Sequence, residues 1–160
     1  IEVIERVSAK FESETFIYEY DFGIKKTENE YFFVNPEQEI KLPLLSLPGD
    51  HQYINAATSI ETILKIEAPK VNQASIQEAI KTAKWPGRLE KVNSGTIVNI
   101  LGNNSQIWLD GAHNQGGAYV LSEWLKSKKF SIPVFLVFGV TKGRNCHNFL
   151  EYFSGLVDEV

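Results

Sequence analysis

The sequence predicts an α/β protein, and three observations carry that reading. Short period-2 segments fill the first third, two amphipathic helical stretches follow, and the last third alternates strand-like and helix-like runs. From Phe16 to Phe22, Phe16, Tyr18, Tyr20 and Phe22 alternate with Ile17, Glu19 and Asp21, the rhythm of a half-buried strand. Glu30–Val34 reads as a second strand, and Ile40, Leu42 and Leu44 mark a third, with Pro43 pointing to an edge. Turn-forming residues lie between them, so an antiparallel meander is expected.

Pro48-Gly49-Asp50 breaks this pattern. Asp50 is expected to cap a helix over 51–66, whose Ala56, Ile60, Ile63 and Leu64 share one face, with Pro69 closing it. Ser75-Ile76-Gln77-Glu78 has the form of a capping box, opening a second helix that carries Ile76, Ala79, Ile80 and Ala83 and ends near Lys84. Trp85-Pro86-Gly87-Arg88 cannot continue a helix, because proline holds the preceding residue extended and glycine admits unusual backbone angles. The domain junction is placed here, dividing residues 1–85 from 86–160.

Beyond it the sequence predicts a strand at Thr96–Leu101, a turn at Gly102-Asn103-Asn104 and a strand at Gln106–Leu109. A helix over about Gly116–Lys128, a buried strand at Pro133–Gly139 and a helix over Cys146–Leu156 follow. Val157-Asp158-Glu159-Val160 reads as the start of another strand. The β-α-β-α order is that of a parallel sheet.

Composition excludes several function classes. At 43% hydrophobic and 22% charged residues the chain is neither disordered nor collagenous. The apolar run Val134–Val140 is far short of the roughly 20 residues that span a bilayer, and no secretory signal opens the sequence. A net charge of −4 argues against a nonspecific nucleic-acid binder. The single cysteine, Cys146, excludes an intrachain disulfide framework and suits a reducing cytoplasm, and with three scattered histidines it gives no zinc pattern.

In parallel sheets ligands gather where strands end. One predicted end carries Asp110-Gly111-Ala112-His113-Asn114 and the next Gly139-Val140-Thr141-Lys142-Gly143-Arg144. Asp110 reads either as an acceptor for ribose hydroxyls or, with Asn114, as a turn or helix-cap residue. Lys142 and Arg144 read either as anion contacts or as solvated loop cations. Asn55, one turn after His51, offers a donor and an acceptor suited to an adenine edge, or else bonds a neighbouring loop. The Arg88 guanidinium fits a phosphate or pairs with Glu90. Neither G-x-G-x-x-G nor G-x-x-x-x-G-K-[ST] is present.

Three segments taken together resemble successive motifs of the folylpolyglutamate/dihydrofolate synthase family, in order and in spacing. They are Leu47-Pro48-Gly49-Asp50-His51-Gln52 with Asn55-Ala56-Ala57, Trp85-Pro86-Gly87-Arg88-Leu89-Glu90, and Leu109-Asp110-Gly111-Ala112-His113-Asn114. The resemblance runs from about Leu44 to Val160, and more faintly through the preceding strands. It implies the end of a central ligase domain, antiparallel strands plus helices, followed by the first part of a Rossmann-like parallel-sheet domain. The family belongs to the Mur-type ligases. The implied activity is ATP- and Mg²⁺-dependent joining of glutamate to folate or dihydropteroate through an acyl phosphate, in a cytoplasmic monomer. By the same resemblance Asn55 would meet the adenine, Arg88 the phosphates and Asp110 the nucleotide from the second domain, with His113 close by. Domain closure would then exclude water from the acyl phosphate. The family's phosphate loop, magnesium-binding carboxylate and modified lysine are expected upstream, so the chain by itself is expected not to ligate. The family's Asp-Lys pair reads Thr141-Lys142 here.

Overall fold

The computed structural model describes residues 2–66, 70–102, 104–141 and 146–160. Pro69, Asn103, Lys142 and Arg144, to which the sequence reading gave roles, lie outside the described residues. The chain divides into two compact units, Ile1–Lys84 and Trp85–Val160.

The first unit opens with a helix the strand reading did not foresee, α1 (Glu2–Lys10), followed by β1 (Gly23–Lys26), β2 (Tyr31–Val34) and β3 (Glu39–Leu42). The meander is antiparallel with β2 central, Phe33 lying opposite both Ile24 and Ile40. The expected strand at 16–22 is instead a tight turn. The Asp21 carboxylate accepts the Ile17 N–H at 2.7 Å, the Ile17 carbonyl accepts the Asp21 N–H at 2.8 Å, and Glu19 is left-handed. Its aromatic alternation reflects one buried ring, Phe22, edge-on to Tyr18, while Tyr20 faces solvent.

Helices α2 (His51–Lys65) and α3 (Gln73–Thr82) supply the rest of the core: Tyr53, Ala57, Ile60, Ile76 and Ile80 pack with Phe22, Phe33, Ile40 and Leu42. Tyr53 stacks face to face on Tyr31 of β2, ring centroids 3.6 Å apart. Asp50 precedes α2 as expected, but its carboxylate makes no cap; it reaches the Lys26 ammonium at 3.3 Å. The capping box of α3 exists one turn earlier than read. Asn72 is the cap and Ser75 its reciprocal partner, so Ser75 lies inside the helix. The Ser46 hydroxyl lies against the terminal Ile80 and Ala83 carbonyls of α3 at 3.1 and 2.6 Å.

In the second unit β4 (Glu90–Val92) pairs antiparallel with β5 (Ile107–Leu109). Between them, where a strand was expected, stands a short helix, α4 (Thr96–Leu101). Its flanking Gly95 and Gly102 both take positive φ, 115° and 73°, which lets the chain coil and then stop. Helix α5 (Gln115–Lys128) follows β5 as expected. The expected buried strand is a one-sided extended segment: Leu136 and Phe138 face the Ala118–Phe149–Phe153 cluster, while Val137 is 98% exposed. Its pairing is a single parallel bridge, with the Leu136 N–H on the Glu159 carbonyl and the Asp158 N–H on that of Val134. The α/β class therefore stands, while a continuous parallel ladder is not present among the described residues. The last helix is α6 (His147–Leu150), tightening to a 3₁₀ turn at Glu151–Phe153 and ending before Gly155, also at positive φ.

Candidate functional site

Two of the three motifs are joined backbone to backbone within the second unit. The Trp85–Glu90 segment precedes β4 and the Asp110–Asn114 loop follows β5, so antiparallel pairing of Glu90 with Leu109 brings them side by side. The Gly111 N–H donates to the Gly87 carbonyl at 2.8 Å. Asp110 completes the junction: one carboxylate oxygen accepts the Leu89 N–H at 2.8 Å and the other the Ala112 N–H at 2.7 Å. These are contacts of the turn type that the sequence reading allowed for Asp110. Both oxygens are committed to backbone donors, and each retains acceptor capacity.

Arg88 stands between Gly87 and Leu89, exposed, and makes no ion pair among the described residues. The alternative of pairing with Glu90 is not what is seen, since the Glu90 carboxylate accepts the Gly87 N–H at 2.8 Å. His113 is exposed, with Nδ1 2.9 Å from the Gly111 carbonyl. A carbonyl only accepts, so this contact places the proton on Nδ1 and, in a neutral ring, the lone pair on Nε2. Asn114 caps α5 by accepting the Gly117 N–H at 2.9 Å. No acidic residue occupies the first turn of α5, so its N-terminal partial positive charge is not offset there.

Asn55 belongs to the first unit. It lies on α2 one turn after His51 and is exposed. Its Nδ2 donates to Oε1 of the buried Gln52 at 3.0 Å, leaving Oδ1 and a second N–H directed elsewhere.

Sequence reasoning named Leu89 and Glu90 within a motif but missed their backbone roles, and it missed Gly117. Leu89 is 2% exposed with φ 47°, and nothing local signals that conformation. Gly117 had a signal, the Gly116-Gly117 pair: a Cβ there would lie 2.9 Å from that of Ala112, so only glycine lets α5 approach the loop. Among the described residues no group of three or more His, Cys, Asp or Glu side chains could hold a metal ion.

Comparison with known proteins agrees with this organisation. The family model described as "Dihydrofolate synthetase, C-terminal domain" matches residues 92–160. The chain is 31% identical over 109 residues to the dihydrofolate synthase/folylpolyglutamate synthase of Bacillus subtilis, covering 66% of this chain and 23% of that protein. Escherichia coli FolC, solved with DHPP and ADP, shares the fold with a TM-score of 0.79 at 22% identity, over 98% of this chain and 35% of its own. A bifunctional folylpolyglutamate synthase/dihydrofolate synthase solved with Mn, AMPPNP and L-glutamate gives a TM-score of 0.79 at 23% identity, over 99% of this chain and 35% of its own. Fold and motifs define a region of a folate-type synthetase. The chain belongs to the folylpolyglutamate/dihydrofolate synthase family, and spans about a quarter of the B. subtilis protein's length, 23%.

Proposed function

We propose that this chain is the nucleotide-holding part of an ATP-dependent ligase that adds glutamate to folate or dihydropteroate. The observation that supports it most is the Asp110 carboxylate drawing the Arg88 segment against the His113 loop. Residues 1–85 are the carboxyl-terminal part of the central ATP-binding domain, and 86–160 the first part of the carboxyl-terminal domain.

Asn55 presents an amide edge to the adenine, the Arg88 guanidinium neutralises phosphate charge, and the spare lone pairs of Asp110 accept ribose hydroxyls. His113 adds a polar group on the same loop as Asp110. Phosphorylation of a carboxylate followed by attack of the glutamate amine needs chiefly positioning and charge neutralisation, and these residues supply both on the nucleotide side. Mg²⁺ is held by residues of the whole protein outside this chain. Turnover accordingly belongs to the whole protein, a cytoplasmic monomer, and not to this chain alone.

The test uses the full-length protein. ADP release should depend on folate or dihydropteroate together with glutamate; dependence on a nucleotide-linked muropeptide instead would make it a different Mur-type ligase. Nucleotide binding with no release under either condition would make it a non-catalytic module. Arg88→Ala should weaken ATP use by about 1.5–3 kcal/mol, the range for a charge-assisted hydrogen bond. Unchanged kinetics would reduce Arg88 to a turn residue.

A further inference from the structure

The segment from Gly87 to Glu90 is held in a conformation that its side chains do not favour. Leu89 sits at φ 47°, where the Cβ of an L residue crowds its own backbone. Gly87, two residues earlier, is left-handed as well at φ 70°. The Leu89 side chain is 2% exposed, so it could relax only by giving up its burial.

Three hydrogen bonds maintain this shape. The Leu89 N–H is on Asp110, the Gly87 carbonyl accepts from Gly111, and the Gly87 N–H is on Glu90, each at 2.8 Å. The residue enclosed by these contacts is Arg88, exposed and in no ion pair among the described residues. A disfavoured backbone that its surroundings maintain around an outward cation is the pattern of pre-organisation. The carboxylate best placed in sequence to neutralise that cation, Glu90, is spent on the backbone instead.

We infer that Glu90 and Leu89, with Asp110, form a clasp that presents Arg88 to a phosphate-bearing ligand, and that Glu90 and Leu89 are positioning residues that act through Arg88. The clasp gives the guanidinium a fixed origin, so that less of its freedom is lost when the ligand arrives. This rests on the reading of Arg88 proposed above.

The experiment measures AMPPNP affinity by calorimetry in the full-length protein, for Glu90→Ala, Glu90→Gln, Arg88→Ala and the Glu90→Ala/Arg88→Ala double variant. Glu90→Ala leaves the Gly87 N–H without its acceptor and should weaken binding about three- to tenfold. Glu90→Gln, whose Oε1 still accepts that N–H, should recover most of the loss. The double variant should bind no more weakly than Arg88→Ala, because a residue acting through Arg88 has nothing left to position. Faster amide exchange at Gly87 and Leu89 in Glu90→Ala would accompany these effects. Additive losses, or no loss in Glu90→Ala while Arg88→Ala binds weakly, would overturn the clasp alone. Unchanged affinity in Arg88→Ala would remove both the clasp and the phosphate-contact reading beneath it. Glu90 is exposed, so its variants should melt like the parent; a Glu90→Ala variant that melts well below it would make Glu90 a fold-stabilising residue and overturn the clasp.

Discussion

At Gly117 one hydrogen atom decides how closely α5 meets the site loop. A Cβ there would lie 2.9 Å from the Ala112 Cβ and 3.1 Å from its Cα, closer than carbon atoms pack. Alanine is the better helix former by up to about 1 kcal/mol, but overpacking costs about 1–3 kcal/mol, so the clash should win. Gly117→Ala should destabilise the second unit by about 1–2 kcal/mol in urea titration, whereas a gain in stability would show that the loop yields easily. Residues with local partners were legible in this way: Asn114 reads as a cap, and its acceptor role spans three positions. Asp110 was legible only as a turn or site residue. Its partner at Leu89 is 21 positions away and becomes its neighbour only through β4–β5 pairing.

Among the elements, α2 and the meander are tied by charge as well as by packing. Lys65 holds its proton above the ordinary lysine value chiefly because the Glu37 carboxylate accepts it at 2.8 Å. Lys26 is raised first by its hydrogen bond to Tyr31 and then by Asp50, and burial raises Tyr53. All three groups keep their protons longer in the folded state than in the unfolded one. The stability they contribute is complete below their ordinary values, 10.0 for Tyr53 and 10.5 for the lysines, and is lost as pH rises through the higher folded values. The urea midpoint of the first unit should therefore hold at about pH 9 and drop by about pH 11, less steeply in a Lys26→Met/Lys65→Met variant. A midpoint unchanged between those conditions would mean that these contacts contribute nothing. In 16–22 alternation suggested a strand that a turn replaces, and in 96–101, also expected as a strand, Ile97, Ile100 and Leu101 fall at helical spacing and the flanking glycines coil the chain.

On the scale of the whole molecule, each unit has its own core. Phe33 and Phe153 are the largest fully buried side chains of the two, at 0% and 1% exposure. Phe33→Ala should cost the first unit, and Phe153→Ala the second, about 3–5 kcal/mol each through lost burial and the cavity left behind. Hydrogen exchange read by peptide should show the loss across the Phe22–Leu64 region in one case and the Ala112–Val157 region in the other. Retained protection in the mutated unit would mean that the cluster assigned to it is not its core.

The amino-acid sequence alone determined the class, the second and third strands of the meander and helices α2, α3 and α5, because these rest on periodicity and turns that act within a few residues, while the three motifs were legible as a resemblance; the first strand, β1, lies in the stretch read as a turn. Tertiary structure alone decided that Leu89 is bent and buried, that Asp110 bridges two motifs, that Glu90 serves the backbone and not Arg88, and that Pro133–Gly139 buries one face only. Apart from the Glu90 contact, which reaches back only three positions to Gly87, each of these depends on which distant segment lies alongside. Pairing of β4 with β5 settles the Leu89 and Asp110 positions, and packing on Phe149 and Phe153 the last. No local pattern in the chain encodes a partner some twenty residues away.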